Sequence, residues 1–261
     1  MGAELEAPLM GSGGVAQGTP IMGGVAVLAN TILGAGMLGL PFAFRKSGTV
    51  EGALFLIFIA VLSWWAILIL VRTRRFLVEV RHEACATYGD VAAAALGQAG
   101  RTVVNTLLVL SQTGFCVAYL VFIGKNLSSI SAWPPSSFIF AMVPALVSLS
   151  LVKSLTRLAP FSLVADVLNL FGLVVIFRND IAAVLSADTL ERSEWSNIGT
   201  LPFLFGVFIY CFEGIGMMLP LESSMAEPAR FREVLGGGMA VITIIFIAFG
   251  AVGYEAFGEE T

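Results

Sequence analysis

Apolar residues come in long blocks separated by short polar stretches. Seven blocks, 21–44, 51–71, 102–124, 136–152, 158–177, 201–221 and 234–257, approach the length a helix needs to cross a bilayer. That length is about 20 residues. All seven are predicted to be helical, because lipid offers no partner to an unpaired backbone group. Block 136–152 is the shortest of them. Residues 1–20, with "GSGGVAQGTP", are too small and polar to bury a core and read as a flexible tail. No Lys or Arg precedes the first block, so a cleaved signal peptide is not expected. The transmembrane domain then covers 21–261. In the loop 72–101, "YGDVAAAALGQAG" predicts a short amphipathic helix ending at glycine. "WPPSS" at 133–137 predicts an interfacial turn with Trp133 at the membrane boundary.

The first block carries its own interruption. "NTILGAGMLGLPFAF" places Gly34, Gly36, Gly39 and Pro41 in the middle of an apolar run. Glycine and proline are the residues that most weaken a helix. The sixth block repeats the device: "GAGMLGLP" at 34–41 is echoed by "GIGMMLP" at 214–220. Spans one and six cross the membrane in opposite directions, which is the mark of an inverted repeat with discontinuous helices. Breaking a helix at mid-depth frees N–H and C=O groups, a state tolerated only where they line a cavity or meet a ligand. Half-helix N-termini suit a carboxylate and free carbonyls suit an ammonium. A zwitterionic amino acid has both groups, and glycine lets it come close. The alternative is that the glycines only let helices pack, a spacing that Ala35 and Gly39 also satisfy.

Composition agrees with a membrane protein. The 261 residues are 57% hydrophobic and 12% charged, with a mean hydropathy of +0.92. A soluble domain carries about 25% charge. With the N-terminus in the cytosol, nine of the 14 Lys and Arg fall in cytosolic loops, which sets that orientation. Cys85, Cys116, Cys211 and His82 are scattered, so neither a disulfide framework nor a metal site is expected. There is no catalytic triad and no phosphate loop, so the polar residues do not add up to an enzyme. No cofactor and no nucleic acid is implied.

"TILGAGMLGLPFAFRKSG", "VLSQTGFCVAYLVFIGKNL" and "FIYCFEGIGMMLPLESSM" resemble the amino acid/auxin permease family. The resemblance covers 21–261 and is nearest to the proton-coupled vacuolar neutral amino acid transporters of plants and fungi. It implies an all-α, LeuT-type inverted-repeat fold of about eleven helices. This sequence supplies about seven, a whole first repeat and two members of the second. Transport by the chain alone is therefore not expected. The compartment implied is the vacuole or another endomembrane, with the plasma membrane as the alternative.

The residues assigned to substrate are Thr31, Gly34, Ala35, Gly36 and Met37 at the first break and Phe212, Gly214 and Gly216 at the second. Gln112 and Phe115, on one face of span three, join them. Glu213, beside the second break, should face the protein interior, because a mid-membrane charge costs about 2.5–3.5 kcal/mol. Two roles fit it: bracing the unwound backbone or carrying the coupled proton. Asp166, which shares a face of span five with Asn169, is the second such candidate, with helix packing as the plainer reading. Glu222 and Arg230 form either a gate pair or a solvated salt bridge.

The function implied is a secondary transporter of small neutral amino acids, coupled to protons and directed toward the cytosol. Two other readings stay open: an amino-acid-binding sensor that signals through its cytosolic face, and an inactive transporter fragment.

Overall fold

The computed structural model describes residues 32–80, 87–151, 159–186, 198–225 and 227–258, with Val25, Leu28 and Cys85. The tail 1–20 and Thr31 lie outside the described residues. Val25, Leu28 and Ile32 are helical; the helix has ended at Leu33, and a 3₁₀ turn follows at Ala35–Gly39. Then come α1 (Leu40–Ser47), α2 (Thr49–Glu79), α3 (Tyr88–Ser129), α4 (Pro135–Ser150), α5 (Ala159–Ser186), α6 (Leu201–Cys211), α7 (Met218–Ser224) and α8 (Phe231–Phe257). The described residues are thus almost wholly helical. Among the described residues four stretches are long and apolar enough to cross a membrane: Thr49–Glu79, Tyr88–Ser129, Val167–Leu185 and Pro228–Phe257. The remaining predicted spans appear as a shorter helix, α4, or as broken helices at positions one and six.

The chain divides into two compact units, one holding 73–159 and the other 14–72 with 160–261. In the first unit α3 opens on a reciprocal cap. The Asp90 backbone N–H donates to Thr87 Oγ1, and the Thr87 N–H donates to the Asp90 carboxylate at 2.9 Å. The helix predicted over 88–100 does not stop as a separate element: it kinks at Gly97, whose φ of +69° lies in the left-handed region, and runs on into the span. Arg101, beyond that kink, bonds back to Asp90 and ties the short helix to the span. The α3–α4 hairpin closes at Gly124, where an added Cβ would lie 3.0 Å from Pro135 O and from Ile139 Cγ1.

In the second unit α8 supplies the packing surface. Its glycines receive side chains of the first span: Gly238 takes Leu28, Gly250 takes the Phe44 ring and Gly253 takes Pro41. Without a hydrophobic driving force between helices in lipid, such close approach is what holds them. Phe44, Phe208, Phe231 and Phe246 are fully buried here. The fifth helix runs on to Ser186, past the predicted end at 177, and carries Asp180 into the packed interior.

Candidate functional site: two broken spans that meet

Both G-x-G-M segments adopt the same turn. Gly34 O accepts from Met37 N at 3.3 Å, and Gly214 O accepts from Met217 N at 3.0 Å. Each is a short 3₁₀ segment followed by an α-helix, Ala35–Gly39 into α1 and Ile215–Met217 into α7. Spans one and six are therefore both interrupted at the predicted glycines.

The first break lies against the end of α6, the helix that leads into the second. A Cβ on Gly36 would sit 3.2 Å from the Tyr210 ring and 3.4 Å from Cys211 Cα. Further along, a Cβ on Gly39 would meet Val207 at 3.9 Å, and the Phe42 and Phe203 rings stand edge to face at 5.8 Å. The partner numbers fall as the first-span numbers rise, so the two segments run antiparallel.

Freed backbone carbonyls need donors. At the first break Leu33 O accepts from Asn169 Nδ2 at 3.1 Å, and Gly36 O accepts from Cys211 Sγ at 3.3 Å. Neither brace was singled out in the sequence. Asn169 was legible only as a face-mate of Asp166, and Cys211 only as a scattered thiol. The signal lay in position: a polar side chain inside an otherwise apolar span. Glu213, the expected brace, sits half-buried in the link between α6 and the 3₁₀ turn, its N–H donating to Tyr210 O at 3.2 Å.

The surroundings of the assigned residues differ. Met37 is buried and Gly214 is buried, whereas Gly216 is exposed. Among the described residues nothing comes within 4 Å of a Cβ placed on Gly216. Phe212 is buried edge-on against Phe246 at 5.3 Å, a packing position. Ala35 lies in the first turn and Asp166 in α5. Gln112 and Phe115 lie on α3, in the other unit, Gln112 exposed and Phe115 half-buried. Arg230 pairs with Glu233 at 2.9 Å and Glu227 at 3.8 Å, not with Glu222. The three-residue spacings bring those carboxylates within reach, while Glu222 is buried on α7.

Beside the first break, Leu33 and Met37 form one wall of a cavity of about 560 Å³ whose other walls are α5 and α8. Its lining is apolar apart from Arg178. No group of His, Cys, Asp and Glu among the described residues could hold a metal ion.

Comparison with known proteins follows the same lines. The amino acid transporter AVT3C of Arabidopsis thaliana is 36% identical over 99% of this chain and 64% of its own length. The Arabidopsis amino acid transporter ANT1 is 40% identical over 88% of this chain and 55% of its own. Vacuolar amino acid transporter 3 of Saccharomyces cerevisiae is 32% identical over 90% of this chain and 35% of its own. The chain thus spans somewhat over half the length of the plant relatives it matches. No solved structure matches it at a significant level. Residues 17–261 match the family described as transmembrane amino acid transporter protein. The chain belongs to that family of membrane amino acid transporters, and its relatives include vacuolar ones.

Proposed function

We propose that the chain acts in secondary transport of small neutral amino acids, coupled to protons and directed from a vacuolar or other endomembrane lumen into the cytosol. The observation that carries this reading is a pair of like G-x-G-M turns on two interrupted spans, the first packed antiparallel against the helix that leads into the second. Such paired breaks suit a ligand that has both a carboxylate and an ammonium. Two carbonyls of the first break already have side-chain donors, so the open side of the second break, around Gly216, is where we place the substrate. Glu213 adjoins it and is our first candidate for the coupled proton, with Asp166 the second.

The test is reconstitution in vesicles that are acidic outside and neutral inside, with labelled neutral, acidic and basic amino acids. It is run with residues 1–261 and with a chimera that adds the remaining segment of the Arabidopsis relative. The reading expects gradient-driven uptake of neutral amino acids by the chimera, lost in Glu213→Gln. Sodium dependence without a pH effect, or a preference for charged amino acids, contradicts it. Uptake by residues 1–261 alone overturns the expectation that both repeats must be whole.

A further inference from the structure

A cleft of about 400 Å³ lies between α2 and α8, away from both breaks. Its walls include Ile57, Val61, Met239 and Ile244. Ile57, Val61 and Ile244 are exposed, so the cleft opens on an apolar outer face of this unit. Besides Thr243, whose hydroxyl donates to Met239 O, two polar features stand at it. The indole Nε1–H of Trp64 is buried and meets no acceptor among the described residues. It is held against Gly236, where an added Cβ would sit 3.5 Å from the nitrogen. Above the same ring stands the Arg232 guanidinium, 5.8 Å from the centroid. Its neighbour Glu233 is taken by Arg230.

The order of these groups is an apolar slot, a single hydrogen-bond donor and a cation. An amino acid does not fit that order, since its ammonium would lie beside the Arg232 cation or against walls whose single hydroxyl, on Thr243, already bonds Met239 O. A sterol would use the indole but leave the cation idle. A glycerophospholipid uses all three. We propose that this cleft binds an anionic glycerophospholipid: an acyl chain in the slot, an ester carbonyl on Trp64 Nε1–H, and the head group at Arg232, where a head-group carboxylate adds to the phosphate and a choline cation opposes it. A small rotation of the indole away from Gly236 opens the N–H to the ester. The end of α2 that follows Trp64 carries Arg72, Arg74 and Arg75, the pattern of a cytosolic membrane boundary. That is the leaflet richest in anionic lipid. The inference does not depend on the transport reading.

The test is native mass spectrometry of the purified chain in neutral detergent, titrated with palmitoyl-oleoyl phosphatidylserine, the matching phosphatidylcholine, and ergosterol. Wild type is expected to prefer phosphatidylserine by about tenfold, the range of one charge-assisted contact. Arg232→Gln should bring that ratio to about one. Trp64→Phe should weaken both phospholipids by roughly threefold or more and keep the ratio. Circular dichroism checks the fold of each variant. If Arg232→Gln does not fold, the wild-type ratio under rising salt decides, since screening should erode it. Equal binding of the two phospholipids, a ratio unchanged in Arg232→Gln or by salt, or displacement of phosphatidylserine by ergosterol overturns the proposal.

Discussion

The segments Gly34–Met37 and Gly214–Met217 have nearly the same four residues and form the same turn, yet their environments are opposite. Gly36 is pressed against Tyr210 and the Cys211 backbone, and Met37 is 2% exposed. Among the described residues Gly216 has nothing within 4 Å of where a side chain would begin, and Met217 is 45% exposed. The turn is a local property of the sequence, since only hydrogen bonds within four residues define it. Its use is a tertiary property. One break is clamped by α6 and braced by Asn169 and Cys211, whereas among the described residues nothing packs on Gly216 of the other.

The contrast predicts unequal responses to matched substitutions. Gly36→Leu has the largest expected effect, because the Cys211 backbone cannot give way as a flexible side chain would. Overpacking of this kind costs about 1–3 kcal/mol. That should lower the thermal unfolding midpoint in mild detergent by roughly 5 °C or more. Folding, rather than ligand binding alone, is what this substitution should damage. Met37→Ala comes next, at about 2 kcal/mol for a buried side chain, while Met217→Ala should stay within about 0.5 kcal/mol. Equal shifts in that pair would erase the distinction between the breaks.

Asn169→Leu removes the donor to Leu33 O. Interhelical hydrogen bonds in membranes are worth about 0.6 kcal/mol on average, with maxima near 1.7, so a shift of that size is expected. If the variant is as stable as wild type, another donor satisfies that carbonyl and the brace is misassigned. Gly216→Ala should be the mildest, within about 0.5 kcal/mol of wild type in stability. Its effect should fall on amino acid binding instead, measured by equilibrium dialysis with labelled leucine. A destabilised Gly216→Ala with intact binding would reverse the assignment.

Much of this arrangement was legible in the sequence because it rests on local signals. The two glycine-rich interruptions and the helical stretch over 88–100 each depend on residues within a turn or two. The length of the fifth helix was not legible, since Arg178, Asn179 and Asp180 read as a polar boundary while the helix continues through them. Side-chain to carbonyl bonds across 136 and 175 residues were beyond reach for a different reason. Asn169 and Cys211 have no local pattern, and only the helix packing supplies their partners. The glycines of α8 show the same limit. "GGG" at 236–238 looks like flexibility in a sequence, but in the packed unit Gly238 receives Leu28 and Gly236 abuts Trp64.

The most direct test of the asymmetry between the breaks is thiol accessibility. In a background with Cys85, Cys116 and Cys211 replaced by serine, Met37→Cys and Met217→Cys are exposed to a polar, membrane-impermeant maleimide in vesicles. Labelling is measured with and without a saturating neutral amino acid. Rapid labelling at position 217, slowed by the amino acid, with slow labelling at position 37 in both conditions, is the predicted result. Faster labelling at 37 than at 217, or labelling at 217 that the amino acid leaves unchanged, would contradict the assignment of the second break as the open, substrate-facing one.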